Sequence, residues 1–325
     1  MDKCSSRVRL KMLAWPFCLA APSLRAQTFA SKPVRIITPF SPGGSTDVLA
    51  RALSEGLQRE LGQPIVVESK TGAGSVIGND VVAKSAPDGH TLLLTTGAFA
   101  IVPSLTPKLP YSQETGFASI TILGRAPNVL FVRTDSPLKS GVDLLRQARA
   151  NPGKLSYGSS GNGSSTHLST ELLKIMAKVF ITHIPYRGGS AVLTDVIGGQ
   201  IDVGVATLPS VMAMITSGRV RALTVSGKAR SPALPDVPTV EECGVPGYDA
   251  DNWYPILAPG GTPMAIVAQL HDAIKSASAT PAFRQRATSE GLILTLEAPQ
   301  AATAFIRSEE AKWRRVVKEQ SITGG

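Results

Sequence analysis

The chain has 325 residues, of which 43% are hydrophobic and 18% charged, which excludes a disordered polyelectrolyte and leaves enough apolar surface for a real core. Its formal charge is +9, but residues 1–26 hold five basic side chains against Asp2 alone, and no Lys/Arg block with interleaved aromatics follows. A nucleic-acid role therefore gains little from the charge, and no run of about 18 apolar residues is present to span a membrane.

Met1–Lys11 is basic, Met12–Ala21 is mostly apolar, and Ala26 is a small residue suited to cleavage. This pattern predicts a signal peptide over residues 1–26 and an exported chain beginning near Gln27. Cys4 and Cys18 fall in that segment, which leaves Cys243 without an intramolecular partner and predicts no disulfide framework.

Val34–Thr38 reads as a buried strand and Phe40–Asp47 as a turn into a helix. Val48, Leu49, Ala52, Leu53, Gly56 and Leu57 recur on one face of that helix, and Gly62 stops it. Ile65–Glu68 is a second strand, Thr71–Gly78 a glycine-rich turn into a helix reaching about Ser85, and Thr91–Thr95 a third strand. After a middle connection the rhythm restarts with strand Val129–Arg133, helix Val142–Ala150 and strand Leu155–Gly158. A Ser/Gly loop then leads into helix His167–Lys178, followed by strand Ile181–Ile184, the loop Pro185–Gly189 and a helix to Ile197. Strand Ile201–Ala206, helix Leu208–Ser217 and strand Val220–Val225 follow, then Pro-rich turns over Ser231–Pro246. Trp253–Ala258 reads as a strand, and Pro263–Ala279 and Ala298–Val317 as helices. The alternation predicts βαβ units with parallel sheets.

Three strand-to-helix turns are rich in small residues: Pro42–Asp47, Gly72–Gly78 and Ser159–Ser165. A helix start exposes free N–H groups and a positive partial charge, glycine allows close approach, and hydroxyls add donors. Several such starts facing one crevice hold a carboxylate without any lysine. The candidate ligand residues are Pro42, Gly43, Gly44, Ser45, Thr46 and Asp47 in one loop, and Ser159, Ser160, Gly161, Gly163, Ser164 and Ser165 in another. Taken singly, such residues also merely close turns and cap helices. Asp47 serves either as a cap or as an acceptor for the ligand. A side chain at Gly44 is expected to block the ligand and to oppose the backbone angles there. Tyr186 and Arg187 follow a strand, and Arg187 pairs either with a ligand carboxylate or with a surface acid.

Other chemistry is poorly supported. Gly72-Ala-Gly74 with Gly78 has one residue too many for the dinucleotide fingerprint, and no acidic residue follows the next strand, so no cofactor is expected. His90, His167, His183 and His271 are scattered, which argues against a metal, and His167 is expected to pack or hydrogen-bond near a helix start. Gly158-Ser-Ser-Gly-Asn162 fails the G-x-S-x-G pattern, and Cys243 has no basic neighbour to activate it. Trp253 is expected in the core.

The ordered motifs resemble one family, the periplasmic solute-binding proteins of tripartite tricarboxylate transporters, called the Bug family. They are Pro39–Asp47 with Ala50-Arg51, Gly72-Ala-Gly74 with Gly78, Pro87-Asp-Gly89, Asn151–Leu155, Ser159–Gly163 with His167-Leu168, and Ile184–Gly188. Arg230–Thr239, Ala258–Pro263 and Trp313 complete the series. The resemblance implies an α/β, two-lobed periplasmic binding protein of Venus flytrap, type II-like form, with a ligand cleft between the lobes. It places residues 27–124 and 229–325 in one lobe and 125–228 in the other. Pro42–Asp47 is implied to touch a ligand carboxylate, with Thr96, Gly97 and Ser159–Ser165 lining the cleft, and Thr207 is a further candidate beside them. The implied function is capture of a small organic carboxylate outside the cytoplasm, without catalysis or cofactor, by a monomer that hands it to membrane permease subunits. Alternatives are a ligand-binding partner of a membrane sensor kinase and a Rossmann-like enzyme using the Gly72 loop. Some residues depart from the family pattern. Ala206 stands where an Asp is common, which predicts a ligand needing no ammonium group, and Ser75 stands where a second Gly is common.

Overall fold

The computed structural model describes Met1, residues 31–106, residues 108–319 and Ile322. Apart from Met1, the expected signal segment lies outside the described residues. In chain order the strands are β1 (Val34–Thr38), β2 (Ile65–Ser69), β3 (Thr91–Leu94), β4 (Phe117–Ala126), β5 (Asn128–Arg133), β6 (Ser156–Ser159), β7 (Thr182–Pro185), β8 (Val203–Thr207), β9 (Val220–Val225), β10 (Asn252–Pro259) and β11 (Ile293–Leu294). The helices are α1 (Ser45–Leu61), α2 (Val76–Ala83), α3 (Ala98–Leu105), α4 (Gly141–Ala150), α5 (Ser165–Ala177), α6 (Gly189–Ile197), α7 (Leu208–Thr216), α8 (Met264–Ala279), α9 (Pro281–Ser289) and α10 (Pro299–Glu319), with a short 3-10 turn over Ala73–Ser75 before α2.

Two sheets form, in the orders β11-β4-β10-β3-β1-β2 and β7-β6-β8-β5-β9. The alternation of strands and helices predicts parallel sheets, but both are mixed. β1 runs parallel to β2 and β3, whereas β10 runs antiparallel to β3 and β4. In the second sheet β6 runs parallel to β7 and β8, and β5 runs antiparallel to β8 and β9. The antiparallel strands are those through which the chain changes sheet: β4 leads straight into β5 across Pro127, and β9 leads back to β10. No helical crossover separates β4 from β5, so the βαβ rule does not govern them.

The stretch read as a middle connection holds α3 and the ten-residue β4. α3 is apolar on nearly every side and contains Pro103, so it carries no amphipathic period. α9 and β11 also escape the hydrophobic pattern. Thr280 caps α9 through its hydroxyl, which accepts from Phe283 N–H at 3.3 Å, and Pro281 occupies the first helical position. α1 forms as expected. Leu49, Leu53 and Leu57 lie at fourfold spacing and are wholly buried, each stabilising by about 2 kcal/mol, and Gly62 ends the helix in the left-handed region at φ 65°.

One core packs α1 and α8 onto the first sheet through Ile36, Leu92, Leu94, Tyr254, Leu270 and Ile274. The other face of that sheet buries Ile37, Leu93, Trp253, Ala302 and Ile306, which places Trp253 in the core. The second sheet is covered by Leu144, Leu168 and Leu173 on one side and by Val192, Val196 and Val211 on the other. Val240, Cys243, Val245, Tyr248 and Ala250, from the turns after β9, join the second sheet's cluster. Trp313 and Val317 of α10 join it too. Asn128 ties the two crossings together. Its N–H donates to Ser226 Oγ at 2.8 Å, and its Nδ2 donates to Ala250 O at 3.4 Å.

Candidate functional site

The two lobes meet along a seam of small residues. Ser41 Oγ lies 2.9 Å from Ser190 Oγ, and Ser190 Oγ donates to Pro42 O at 3.3 Å, joining the turn before α1 to the start of α6. Gly188 faces Ser41 so closely that any Cβ would collide with it. Likewise Gly74, at φ 63°, leaves no room for a Cβ against the carbonyl of Asn162. The Gly72 turn and the Ser/Gly loop thus meet across the cleft. The Gly72 turn also carries backbone strain: Ala73 and Ser75 adopt φ 47° and 108°, in the region that favours glycine. Ser75 is the position at which the resemblance implied a glycine.

Between these segments lies a cavity of about 510 Å³, lined by Gly72–Gly74, Ser160–Gly163, Pro185–Arg187, the α3 residues Val102 and Leu105, and Thr106 just past that helix. Of the expected site residues, Ser160, Gly161, Gly163, Tyr186 and Arg187 line this cavity. Ser45, Thr46, Asp47, Thr96, Ser159, Ser164, Ser165 and Thr207 do not; they are buried, each at most 8% exposed. Gly44 and Gly97 are buried as well, while Pro42 and Gly43 are exposed.

The first loop builds a helix start with few side-chain caps. Gly44 is the N-cap of α1 and offers no side-chain hydrogen bond. Its φ of −72° suits any residue, so the expected conflict of backbone angles is absent there; the positive φ, 76°, belongs to Gly43. A Cβ at Gly44 would still sit 3.0 Å from Ser41 O. Asp47 accepts from Gly43 N–H at 3.0 Å and pairs with Arg51, also at 3.0 Å. That carboxylate therefore stabilises the loop.

A polar floor lies between α1 and β10. The wholly buried Tyr254 hydroxyl faces Ser45, Thr207 and Asn252, and burial raises its pKa. Asn252 Oδ1 accepts from Gly97 N–H at 3.1 Å. Two buried hydroxyls of this region, Thr46 Oγ1 and Thr95 Oγ1, have no hydrogen-bond partner among the described residues. Asn252 and Tyr254 escape sequence reasoning because a short apolar strand gives no sign of which polar atoms it will aim at a cleft.

The second loop rests on a buried aromatic stack. Ser164 caps α5 by accepting from His167 N–H, and Ser160 N–H donates to Thr166 Oγ1 at 2.9 Å. His167 Nδ1 accepts from Gly163 N–H at 3.2 Å, which fulfils the expectation of a histidine bonded near a helix start. His167 stacks on His183 with ring centroids 4.2 Å apart, and His183 stacks on Tyr157. His183 Nε2 lies 2.6 Å from Ser159 Oγ, while Tyr157 and Lys174 both donate to Glu171. Burial lowers the pKa of His167 to about 4 and that of His183, with help from His167, to about 3. Tyr186 donates its hydroxyl to Asp195 at 2.7 Å, and burial together with that carboxylate raises the phenol to about 12. Cys243 is buried beside Thr224, and burial raises its thiol pKa, the opposite of an activated nucleophile.

Two α/β lobes closing on a cleft edged by helix starts define the class of the protein: a solute-binding receptor. The profile of the tripartite tricarboxylate transporter family receptor matches residues 49–322, and the chain belongs to that family. It is 37% identical over 303 residues to BugT of Bordetella pertussis, covering 93% of each chain. Its fold is similar to that of the Rhodopseudomonas palustris protein Rpa4515, solved with adipate, at a TM-score of 0.86 and 33% identity over 90% of this chain and 98% of that one. MatC from Rhodopseudomonas palustris, solved with bound malate, matches at a TM-score of 0.83 and 31% identity over 88% of this chain and 99% of that one.

Proposed function

We propose that the cleft captures a small organic carboxylate and that the chain delivers it, outside the cytoplasm, to the permease of a tripartite transporter. One observation carries this reading: the polar floor of Ser45, Thr207, Asn252 and Tyr254 lies beside the start of α1, between the two lobes. A buried polar group without a partner costs about 1–3 kcal/mol, so a ligand that satisfies the Thr46 hydroxyl gains that free energy on binding. The N–H groups at the starts of α1 and α5 add a fixed positive potential for an anion. Binding needs no proton transfer or bond cleavage, and the Ser159–His183 pair belongs to the loop's support.

In this reading Pro42–Asp47, Thr96, Gly97, Thr207 and the Ser159–Ser165 loop surround the acid, and lobe closure excludes water from it. We place the lobe boundaries at the two crossings, 126–128 and 250–252. The packing of Val240–Ala250 on the second sheet's cluster supports assigning 229–251 to the second lobe. Adipate and malate in the two Rhodopseudomonas palustris relatives support a di-acid as ligand.

The test is a thermal-shift screen of the purified protein against dicarboxylates, tricarboxylates, aromatic acids and amino acids, followed by calorimetric titration. An acid present at 100 times its Kd stabilises the folded state by about 2.7 kcal/mol and raises the midpoint accordingly. If no acid shifts the midpoint, carboxylate capture is wrong.

A further inference from the structure

We propose that His167 and His183 are positioning residues for the Ser/Gly loop, each held neutral in a single tautomer, and that a proton on either ring releases the loop and, with it, the seam between the lobes. The device acts on the loop whatever solute the cleft takes.

The loop hangs on one lone pair from each ring. His167, 5% exposed, accepts from Gly163 N–H through Nδ1 at 3.2 Å, which puts its own proton on Nε2. Ser159 Oγ accepts from Gly161 N–H at 3.2 Å and lies 2.6 Å from His183 Nε2, against 3.4 Å from Gly161 O. The shorter contact takes the hydroxyl proton, so His183 Nε2 is the acceptor and the ring's proton is on Nδ1. The rings lie face to face, 4.2 Å between centroids and 15° apart in plane, so neither turns without displacing the other. Between the two anchor points the chain runs through Gly161 and Gly163 at φ 118° and 76°. The Asn162 carbonyl between them fills the space that Gly74 leaves on the opposite lobe, so the shape of the loop is the shape of the seam.

Protonation turns each acceptor into a donor. Gly163 N–H would then face another N–H, and Ser159 would lose the acceptor of its hydroxyl proton. The ionisable groups that face the rings among the described residues are Tyr157 on β6 and Glu171 and Lys174 on α5. Glu171 Oε1 stands 4.0 Å from His167 Nε2 but already accepts from Tyr157 and Lys174, each at 2.7 Å, so the Lys174 charge offsets its pull on a ring proton. Burial keeps both rings below the ordinary histidine value, so the loop is held at neutral pH and let go in acid.

The experiment is a pH titration of the isotope-labelled protein, without ligand, followed by nuclear magnetic resonance. At neutral pH Nδ1 of His167 and Nε2 of His183 should both report as unprotonated. On acidification the amides of Gly163 and, across the seam, Gly74 should shift together, with a midpoint at about pH 4. His167→Asn keeps an acceptor where Nδ1 stood and takes up no proton. It should hold the loop at neutral pH and remove the part of the response that follows His167. His183→Gln makes the same replacement at the other anchor and keeps the test open should one variant fail to fold. His167→Leu should place both glycine amides at neutral pH where acid places them in the parent. Either ring in the other tautomer overturns the proposal, as does a Gly74 amide that stays in place while Gly163 shifts, or an acid response unchanged in both acceptor-keeping variants. Unfolding of the whole protein before Gly163 moves overturns it too, because the loop should let go first.

Discussion

The hydroxyls of Ser41 and Ser190 lie 2.9 Å apart, although 149 residues separate them in the chain. Ser41 lies in the turn before α1 and Ser190 in the first turn of α6, one in each lobe, so this hydrogen bond exists only when the lobes are together.

Ser41→Ala and Ser190→Ala should each weaken ligand binding by about two- to tenfold, the range expected for one neutral hydrogen bond. The double variant should lose less than the sum of the singles, because both remove the same contact. Titration of the four proteins with one ligand measures the coupling. Additive losses would mean that the two hydroxyls do not meet in the bound state.

Gly74→Ala should hold the cleft ajar. The new methyl would strike the carbonyl of Asn162 across the seam, a clash that an open form avoids. The left-handed φ adds a cost of about 1–2 kcal/mol to stability in either form. Small-angle scattering should show the parent contracting with ligand and the variant keeping its free-state radius. Equal contraction would show that the Gly72 turn yields freely.

Stability should fall on acidification below about pH 6.5. His167 and His183 have folded pKa values of about 4 and 3, below the ordinary value near 6.5, so the unfolded chain takes up protons first. Their contribution is complete above pH 6.5 and is lost as pH falls toward those values, at up to about 1.4 kcal/mol per pH unit for each ring. Asp251 opposes this. Burial raises its pKa to about 6, so between about pH 6 and 4 the folded state gains a proton there. Urea unfolding at pH 7 and pH 5 should show a smaller loss for His183→Gln than for the parent. Identical losses would place the titration elsewhere.

Several of these features are legible before any coordinates. The two helix-start loops follow local rules, since small residues after a strand give away both turn and cap, and Arg187 stands out by charge. Asn252 and Tyr254 do not, because they reach the floor only when β10 inserts between β3 and β4. That insertion is antiparallel and long-range, and nothing in the residues nearby encodes it. α3 is hidden for a related reason: a helix buried on most sides has no polar face to set its period.

A 2-amino di-acid should bind no more tightly than its 2-hydroxy counterpart. Ala206, wholly buried in β8, stands where the resemblance implied an acidic side chain, and Asp47 is occupied by Gly43 and Arg51. Matched titrations at one pH and salt decide it. Tenfold tighter binding of the amino form, about 1.4 kcal/mol, would require another acceptor for the ammonium group.

Protein recovered from the periplasm should have an intact mass that corresponds to a start near Gln27, from the basic, apolar and small-residue order of residues 1–26. A full-length product confined to the cytoplasm would count against export.

Glu309 accepts hydrogen bonds from both Trp253 Nε1, at 3.3 Å, and Trp313 Nε1, at 3.1 Å. The first indole is part of the first lobe's strand β10, and the second packs in the core of the other lobe. The 21-residue α10 that carries Glu309 is a rod about 30 Å long, with Ala302 and Ile306 anchored in one lobe and Trp313 and Val317 in the other. Mechanically it is a strap. Moving the lobes apart lifts one end of the rod from its seat, so separation is opposed by the packing of two cores at once.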